Sequence, residues 1–267
     1  MPRRTDGAPA KAQRHRSILA ALATDPTVRI SALAAGFGVS AETVRRDIEE
    51  LSRQGVVRRT YGGASVVHAG VQPELSSRER MAVAERARIG AAAASLVEPG
   101  AVVMLDAGST TAHVARALAA RGVQATVLTN SLTAAAELAA APGGTIRVLL
   151  CPGEVSAGER GVYGSEAEAF LRRFNADLAL IGASGLTEEG PSDAVSRAAW
   201  VKRAMLDRAA RRVLVVDSAK FGRALLERVC PLGAVTDLVT EAPPPPGLSA
   251  ALARAAVAVT LATGLAK

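Results

Sequence analysis

Cysteine is nearly absent from this 267-residue chain. Cys151 and Cys230 are the only two, too few for a disulfide framework, and neither stands in a CxxC pair of the kind that holds zinc or runs redox exchange. Both read as buried thiols. The three histidines, His15, His68 and His113, are scattered without ligand spacing, so they read as solvated or packed side chains and no metal site is expected. No uncharged apolar run reaches the about 18 residues that span a bilayer. The basic start MPRRTDGAPAKAQRHR leads into neither an unbroken apolar core nor a small-residue cleavage site, so the sequence predicts a cytoplasmic protein with no membrane partner. Two nucleotide signatures are missing as well. The candidate loops lack a Gly-Lys-[Ser/Thr] ending and no GxGxxG follows a strand, which argues against NTP and NAD and leaves no cofactor to expect.

What is present is the composition of an ordinary globular protein, 49% hydrophobic and 21% charged, in a chain long enough for two domains. Its formal charge of +7 is uneven: residues 1–65 carry 11 Lys/Arg against 6 Asp/Glu, and the remaining chain is close to balance. A small basic head on a nearly neutral body suits a polyanion-binding module, although solubility alone can account for a modest positive charge.

The local patterns divide the chain into a basic arm expected to be disordered (1–13), a helical head (14–65), a linker (66–76) and a larger body (77–267). In the head, Ile18, Leu19 and Leu22 mark one face of a first helix that stops at Asp25-Pro26. Residues 28–30 can form a short strand. Ser31 is the expected cap of a second helix ending at Gly36-Phe37-Gly38, and Ser40 the cap of a third running from Ala41 to about Gln54. On the third helix Val44, Ile48 and Leu51 form the anchoring stripe, while Glu42, Thr43, Arg46, Glu49 and Arg53 face the other way. Arginines and hydroxyls in its first half suit the major groove. Gly55 ends it, and the run from Val56 to Tyr61 followed by Gly62-Gly63 reads as a hairpin wing whose arginines can meet phosphates or the minor groove. Each arginine alone could equally be a solvated surface charge.

In the body, a helix over 76–97 is followed by alternating segments. Apolar runs at 101–105, 125–128, 146–150, 178–181 and 213–216 read as strands buried on both faces, separated by helices at 111–120, 132–141, 165–174 and 197–211. That order implies a doubly wound α/β sheet with ligands beyond the carboxyl ends of its strands. Polar loops stand there: Asp106-Ala107-Gly108-Ser109-Thr110-Thr111, Thr129-Asn130-Ser131, Gly182-Ala183-Ser184-Gly185 and Asp217-Ser218-Ala219-Lys220. The first offers backbone N–H groups and hydroxyls to a phosphate, and Lys220 can neutralise an anion. Any one such loop is ordinary turn chemistry; their repetition at successive strand ends points to a site.

The segment RISALAAGFGVSAETVRRDIEELSRQGVVRRTYGGAS, above all TVRRDIEEL and the RRTYGGA wing, resembles the winged helix-turn-helix of DeoR-type regulators. LDAGSTT, LTNSL, IGASGL, VKRAM and VVDSAKFGR are similar to the sensor domain of that family, whose fold is similar to sugar-phosphate isomerases. The resemblance spans about residues 14–240. It implies a transcriptional regulator, by default a repressor of a carbohydrate operon relieved by its effector, with Ser40, Thr43, Arg45, Arg46, Arg58 and Arg59 at the operator DNA. It also implies a phosphorylated-sugar effector held by Asp106, Gly108, Ser109, Thr110, Thr111, Asn130, Ser131 and Lys220. Asp47, which phosphate would repel, reads as a residue that orients an arginine. The sequence departs from the family at Ala198 or Trp200, where an acidic residue is usual, and at Cys151-Pro152-Gly153, where a Gly-Gly is usual. A working isomerase is the rival reading, with Asp106 and Lys220 as the start of its machinery, but Ala198 removes an obvious second carboxylate and Asp193 reads as a loop residue that would have to move in. Binding without turnover is expected, in a homo-oligomer that presents two heads to a repeated operator.

Overall fold

The computed structural model describes residues 10–25, 27–53, 57–66 and 72–263, in two compact units, Met1–His68 and Ala69–Lys267. The expected arm over residues 1–9, the Pro26 turn, Gly55, His68 and most of the linker lie outside the described residues.

The amino-terminal unit runs α1 (Lys11–Thr24), β1 (Thr27–Arg29), α2 (Ile30–Phe37), α3 (Ala41–Arg53), β2 (Val57–Thr60) and β3 (Gly63–Val66). The first helix therefore starts at Lys11 and takes in residues expected in the arm. A core of Ile18, Leu22, Leu33, Val44, Ile48, Leu51, Val57 and Ala64 holds the three helices against the small sheet. Its strands lie in the order β1-β3-β2, so the wing hairpin is stitched to the chain before α2. That pairing explains why Ser31 is not the cap expected of it. The helix begins one residue earlier, and the Ile30 N–H donates to the carbonyl of Gly62 in the wing turn at 2.9 Å. At its other end Gly38 adopts φ +63°, a conformation glycine takes without steric cost, and its N–H closes the helix on Ala34 and Ala35. Ser40 does cap α3: its Oγ accepts from the Thr43 N–H at 3.1 Å.

The carboxy-terminal unit opens with α4 (Leu75–Glu79) and α5 (Val83–Ala94). One continuous helix was the expectation here. The break falls where the Arg86 guanidinium claims the carbonyl of Arg78 and Ala82 turns to φ +50°. Then come β4 (Val102–Leu105), α6 (Ser109–Arg121), β5 (Ala125–Thr129), α7 (Leu132–Ala139) and β6 (Ile146–Leu150). A hairpin, β7 (Glu154–Ser156) and β8 (Gly161–Tyr163), leads through α8 (Ser165–Arg172) to β9 (Ala176–Ile181). A second small sheet is built from β10 (Gly185–Thr187), β11 (Gly190–Asp193) and, later in the chain, β13 (Glu227–Arg228). Between them lie α9 (Ser196–Leu206) and β12 (Ala209–Val215), and the unit ends with β14 (Asp237–Thr240), α10 (Pro246–Arg254) and β15 (Ala258–Leu261).

Among the described residues the main sheet has seven parallel strands in the order β15-β14-β12-β9-β4-β5-β6. Strand alternation sorts the core into two layers. Met104, Leu128, Ile181 and Leu214 face α8, α9 and α10, whereas Val103, Leu105, Val127, Leu180 and Val215 face α5, α6 and α7. The expected doubly wound sheet is thus present, with β14 and β15 beyond the five strands expected. The helix expected over 197–211 stops at Leu206, because residues 209–212 pair with β9 although their Ala-Ala-Arg-Arg sequence has little strand propensity.

Winding starts in the middle of the sheet. From β4 the chain moves outward through β5 and β6, then returns to β9 on the other side of β4 and continues to β15. The carboxyl ends of β4 and β9 are therefore the switch point, where outgoing connections diverge to opposite sides and leave a crevice.

The α5–α6 packing is close enough to test. A Cβ built at buried Gly90 would lie 2.7 Å from the carbonyl carbon and oxygen of His113, both backbone atoms. Gly90→Ala is expected to destabilise the carboxy-terminal unit by about 1–3 kcal/mol, read as a lower urea midpoint at unchanged slope; an unchanged midpoint would show that the two helices separate freely.

Candidate functional site

Two surfaces collect the polar residues. On the amino-terminal unit, Val44, Asp47, Ile48 and Leu51 of α3 face inward, leaving Arg45 and Arg46 exposed beside the capped start of the helix. Ser40 Oγ and Thr43 Oγ1 lie 2.9 Å apart. Glu42 sits between the two arginines, 2.5 Å from Arg45 Nη1 and 3.4 Å from Arg46 Nε. It keeps both side chains extended along the exposed face, and their charges hold its carboxyl below the usual range, the Arg45 hydrogen bond most of all. On the wing, Arg58 and Arg59 are exposed, Arg59 within 3.6 Å of Glu49. All six residues expected at DNA thus stand on one unit, with the four arginines exposed.

Asp47 is buried and orients an arginine, as expected of it. The arginine is Arg14 of α1, whose Nε and Nη2 donate to the two carboxylate oxygens at 2.7 and 3.1 Å, with His15 Nε2 at 3.3 Å. The pair therefore fixes α3 against α1.

The second surface is a narrow cavity at the switch point of the carboxy-terminal unit, with room for about 30 Å³ of water-sized volume inside and about 430 Å³ of unfilled space when its open mouth is included. Asp106, Gly108, Ser109, Thr110 and Lys220 line it, together with Tyr163, Ser184, Asp193, Ala198 and Lys202. The remaining three residues expected at the ligand stand behind the wall. Thr111 is fully buried and donates to the carbonyl of Gly108 at 3.0 Å. Asn130 accepts from the Ala107 N–H at 2.9 Å and donates to the carbonyl of Val162, while Ser131 caps α7. Thr111 and Asn130 thus hold the first loop from behind, and Ser131 fixes the start of α7.

At the floor, Lys202 of α9 reaches between two carboxylates. Its Nζ lies 3.0 Å from Asp106 Oδ2 and 3.0 Å from Asp193 Oδ2, and all three side chains are at least 95% buried. Burial opposes the ammonium, but the two carboxylates outweigh it and hold the lysine pKa above its ordinary value. Two acids around one base leave a surplus negative charge. Burial, aided by Asp193, accordingly pushes the Asp106 carboxyl up against the pull of Lys202 and of the Gly182 N–H, which donates at 3.2 Å. Among the described residues Asp106 Oδ1 has no hydrogen-bond partner. Asp193, expected as a loop residue that would have to move, is the buried last residue of β11 and already in place. Lys202 was missed within the VKRAM motif; a lysine amid apolar residues on a core-facing helix is the signal that marks it.

The opposite wall is basic. Burial is the main cause that draws the Lys220 pKa down to about 8, with Arg223, Arg86 and Arg78 adding repulsion against the pull of Asp217. Among the described residues no carboxylate lies within ion-pairing distance of it. Asp217 is instead held by Arg86 at 2.9 Å, and Glu241 accepts from the Ser218 N–H, fixing the loop that carries Lys220. Next to this wall, residues 108–110 start the 13-residue α6, whose first N–H groups point outward.

The two departures from the family separate here. Ala198 faces the cavity, whereas Trp200 is exposed and its indole donates to Glu227 at 3.0 Å. Cys151 is buried under the β6–β7 connection with its thiol pushed up to about 12, and Gly153 lies 2.6 Å, by a built Cβ, from the carbonyl of Tyr163. Neither lines the cavity.

Residues 14–69 match the DeoR-like helix-turn-helix domain, and residues 81–242 match the DeoR C terminal sensor domain. The chain is 30% identical to the glycerol-3-phosphate regulon repressor of Escherichia coli K12, over 87% of this chain and 92% of that one. It is 35% identical to the HTH-type transcriptional repressor GlcR of Bacillus subtilis 168, over 76% and 78% of the two chains. Among solved structures it is similar to ribose 5-phosphate isomerase A of Methanocaldococcus jannaschii, at 20% identity over 52% of this chain and 55% of that one, with a TM-score of 0.39, a likeness too slight to bear on function. The chain belongs to the DeoR family of transcriptional regulators, a helix-turn-helix joined to a sensor domain, and is a regulator rather than an enzyme.

Proposed function

We propose that this protein is a cytoplasmic, homo-oligomeric repressor that binds an operator through Ser40, Thr43, Arg45, Arg46, Arg58 and Arg59, and that a phosphorylated sugar or related metabolite in the switch-point cavity lowers its DNA affinity. The observation that carries the ligand reading is the polarity of the cavity. One wall offers the start of α6 and an unpaired Lys220, which suit a phosphate; the floor offers Asp106 with a free, buried oxygen, which suits a ligand hydroxyl. In this reading Gly108, Ser109, Thr110 and Lys220 hold the phosphate, and Asp106, Asp193 and Lys202 meet the hydroxyls. Thr111 and Asn130 act by holding the loop, and Ser131 by capping α7. A relative named as a glycerol-3-phosphate regulon repressor agrees with a small phosphate ester as the ligand. For such a ligand to regulate, it must bind the DNA-free form more tightly than the DNA-bound form.

The test is fluorescence anisotropy on DNA from the protein's own upstream region with excess nonspecific competitor, repeated with a panel of sugar phosphates and glycerol 3-phosphate. Specific binding released by one compound supports the reading; absence of specific binding defeats it. Arg46→Ala is expected to weaken specific binding by about tenfold or more while leaving ligand release intact. Loss of both would indicate misfolding instead. Arg58→Ala should lower the salt slope by about one, and an unchanged slope would remove Arg58 from the phosphate contacts.

Lys220 gives the site a pH dependence. With its pKa near 8, the ammonium that attracts a phosphate is present below that pH and lost above it. Phosphate-ester affinity should therefore hold to about pH 8 and then fall up to about tenfold per pH unit, and Lys220→Met should bind weakly at every pH. A flat profile in the native protein would place the phosphate elsewhere.

A further inference from the structure

The cavity has a side that the family motifs do not describe. Gln72 and Arg78, from the first described segment after the residues that follow the helix-turn-helix unit in the chain, line it together with Glu159 of the β7–β8 turn. Arg78 is buried and pairs with Glu159 through Nη2, while its Nε donates to the carbonyl of Pro73 at 3.0 Å. Gln72 Nε2 donates to the other Glu159 oxygen at 3.4 Å, and the Leu75 N–H donates to the carbonyl of Gly158 at 3.2 Å. Residues 72–79 are thus strapped to the β7–β8 turn beside the cavity: Glu159 holds them on the buried side, and Arg160 of the same turn pairs with Glu79 at 3.3 Å on the more exposed side.

The same strap reaches the acidic floor. Ser184 Oγ lies 2.5 Å from Gln72 Oε1 and 3.2 Å from Asp193 Oδ1. A hydroxyl has one proton for these two acceptors, so whatever draws Asp193 or Gln72 changes what Ser184 gives the other. Polar contacts therefore run unbroken from Arg78 through Glu159, Gln72 and Ser184 to Asp193, Lys202 and Asp106.

Arg78 also belongs electrostatically to the phosphate wall, since its charge is among those that repel the Lys220 ammonium. Its carboxylate partner fills the role a ligand oxyanion would fill: an anionic oxygen offered to a guanidinium in the lining of a cavity that Lys220 also lines.

We propose that Glu159 is a built-in competitor for the effector's anionic group, and that a phosphate-bearing ligand displaces it from Arg78 and so releases the strap formed by residues 72–79. The signal then enters the polypeptide at the segment joined through residues 67–71 to the helix-turn-helix unit. The positive-φ break at Ala82 marks where that segment can move against α5. The proposal rests on the reading of the cavity as an anion site.

The test uses the full-length protein, inorganic phosphate as the probe, calorimetry for binding, and amide hydrogen exchange for the strap. Glu159→Gln keeps the shape and removes the competing charge, so phosphate should bind about tenfold more tightly. Without ligand, its strap amides at 75–81 should exchange as fast as those of the native protein saturated with phosphate. Its operator affinity should shift in the direction that ligand shifts the native protein. Arg78→Lys should weaken phosphate binding and leave the amides indifferent to it. If native protein binds phosphate and Lys220→Met abolishes that binding, but Glu159→Gln binds no tighter and its strap is unchanged, the competitor role is wrong and the anion site stands. If native protein binds no phosphate, both fall together.

Discussion

The carboxy-terminal unit turns on a lysine buried between two aspartates. Asp193 ends β11 and Lys202 stands on α9, the next element in the chain, whereas Asp106 comes from the end of β4, far earlier in the sequence. A buried ammonium is tolerated only where charge and hydrogen bonds replace water, and neither aspartate would be stable there without it. The triad is therefore a geometric constraint on the fold: α9 must lie over the switch point, and the small sheet carrying β11 must close onto the large one. Removing Lys202 leaves two buried carboxylates unmatched, whereas removing either aspartate leaves a single ion pair. Such an arrangement is weak support for stability alone, and its place at the switch point in the middle of the sheet is intelligible if its spare acceptor, Asp106 Oδ1, has a ligand to meet.

Around that constraint the site divides by sign. The floor carries a surplus carboxylate, and the lining also carries Lys220 and Arg78, with Arg86 and Arg223 near enough to repel the Lys220 ammonium. A neutral sugar would leave the basic wall unmatched, and a bare inorganic anion would leave the acidic floor unused. On the proposed reading, a small molecule with a phosphate at one end and hydroxyls at the other matches both. Ala198 adds room on the floor, where an acidic side chain would add a third carboxylate to a region already one charge in excess.

Much of this was legible in the sequence, for a physical reason. A strand buried on both faces is apolar at every position, so the main strands and the polar loops at their ends stood out, and so did the capped third helix with its stripe of Val44, Ile48 and Leu51. What stayed hidden depends on partners distant in the chain. Ile30 begins its helix because Gly62 of the wing supplies an acceptor, and residues 209–212 are strand because β9 lies beside them. Asn130 and Ser131 have the residue types of a ligand site, yet Asn130 holds the Ala107 N–H of the first loop and Ser131 is spent on capping α7. Lys202 carried the opposite ambiguity, reading as one more charge on a helix until two carboxylates proved to be within reach.

The same distinction separates the two kinds of arginine in the protein. Arg45, Arg46, Arg58 and Arg59 are exposed, and the ion pairs that α3 and the wing offer three of them are solvated ones worth little. Exchanging a solvated carboxylate for a DNA phosphate costs little, so these side chains are free to be captured by DNA. Arg14, Arg78 and Arg86 are paired out of water and hold elements together: α1 to α3, residues 72–79 to the β7–β8 turn, and α5 to the loop after β12. Of these three, Arg14 and Arg86 close on aspartates outside the cavity lining. Arg78 alone closes on a carboxylate that lines the cavity with it, so its pairing is the one a ligand anion can contest.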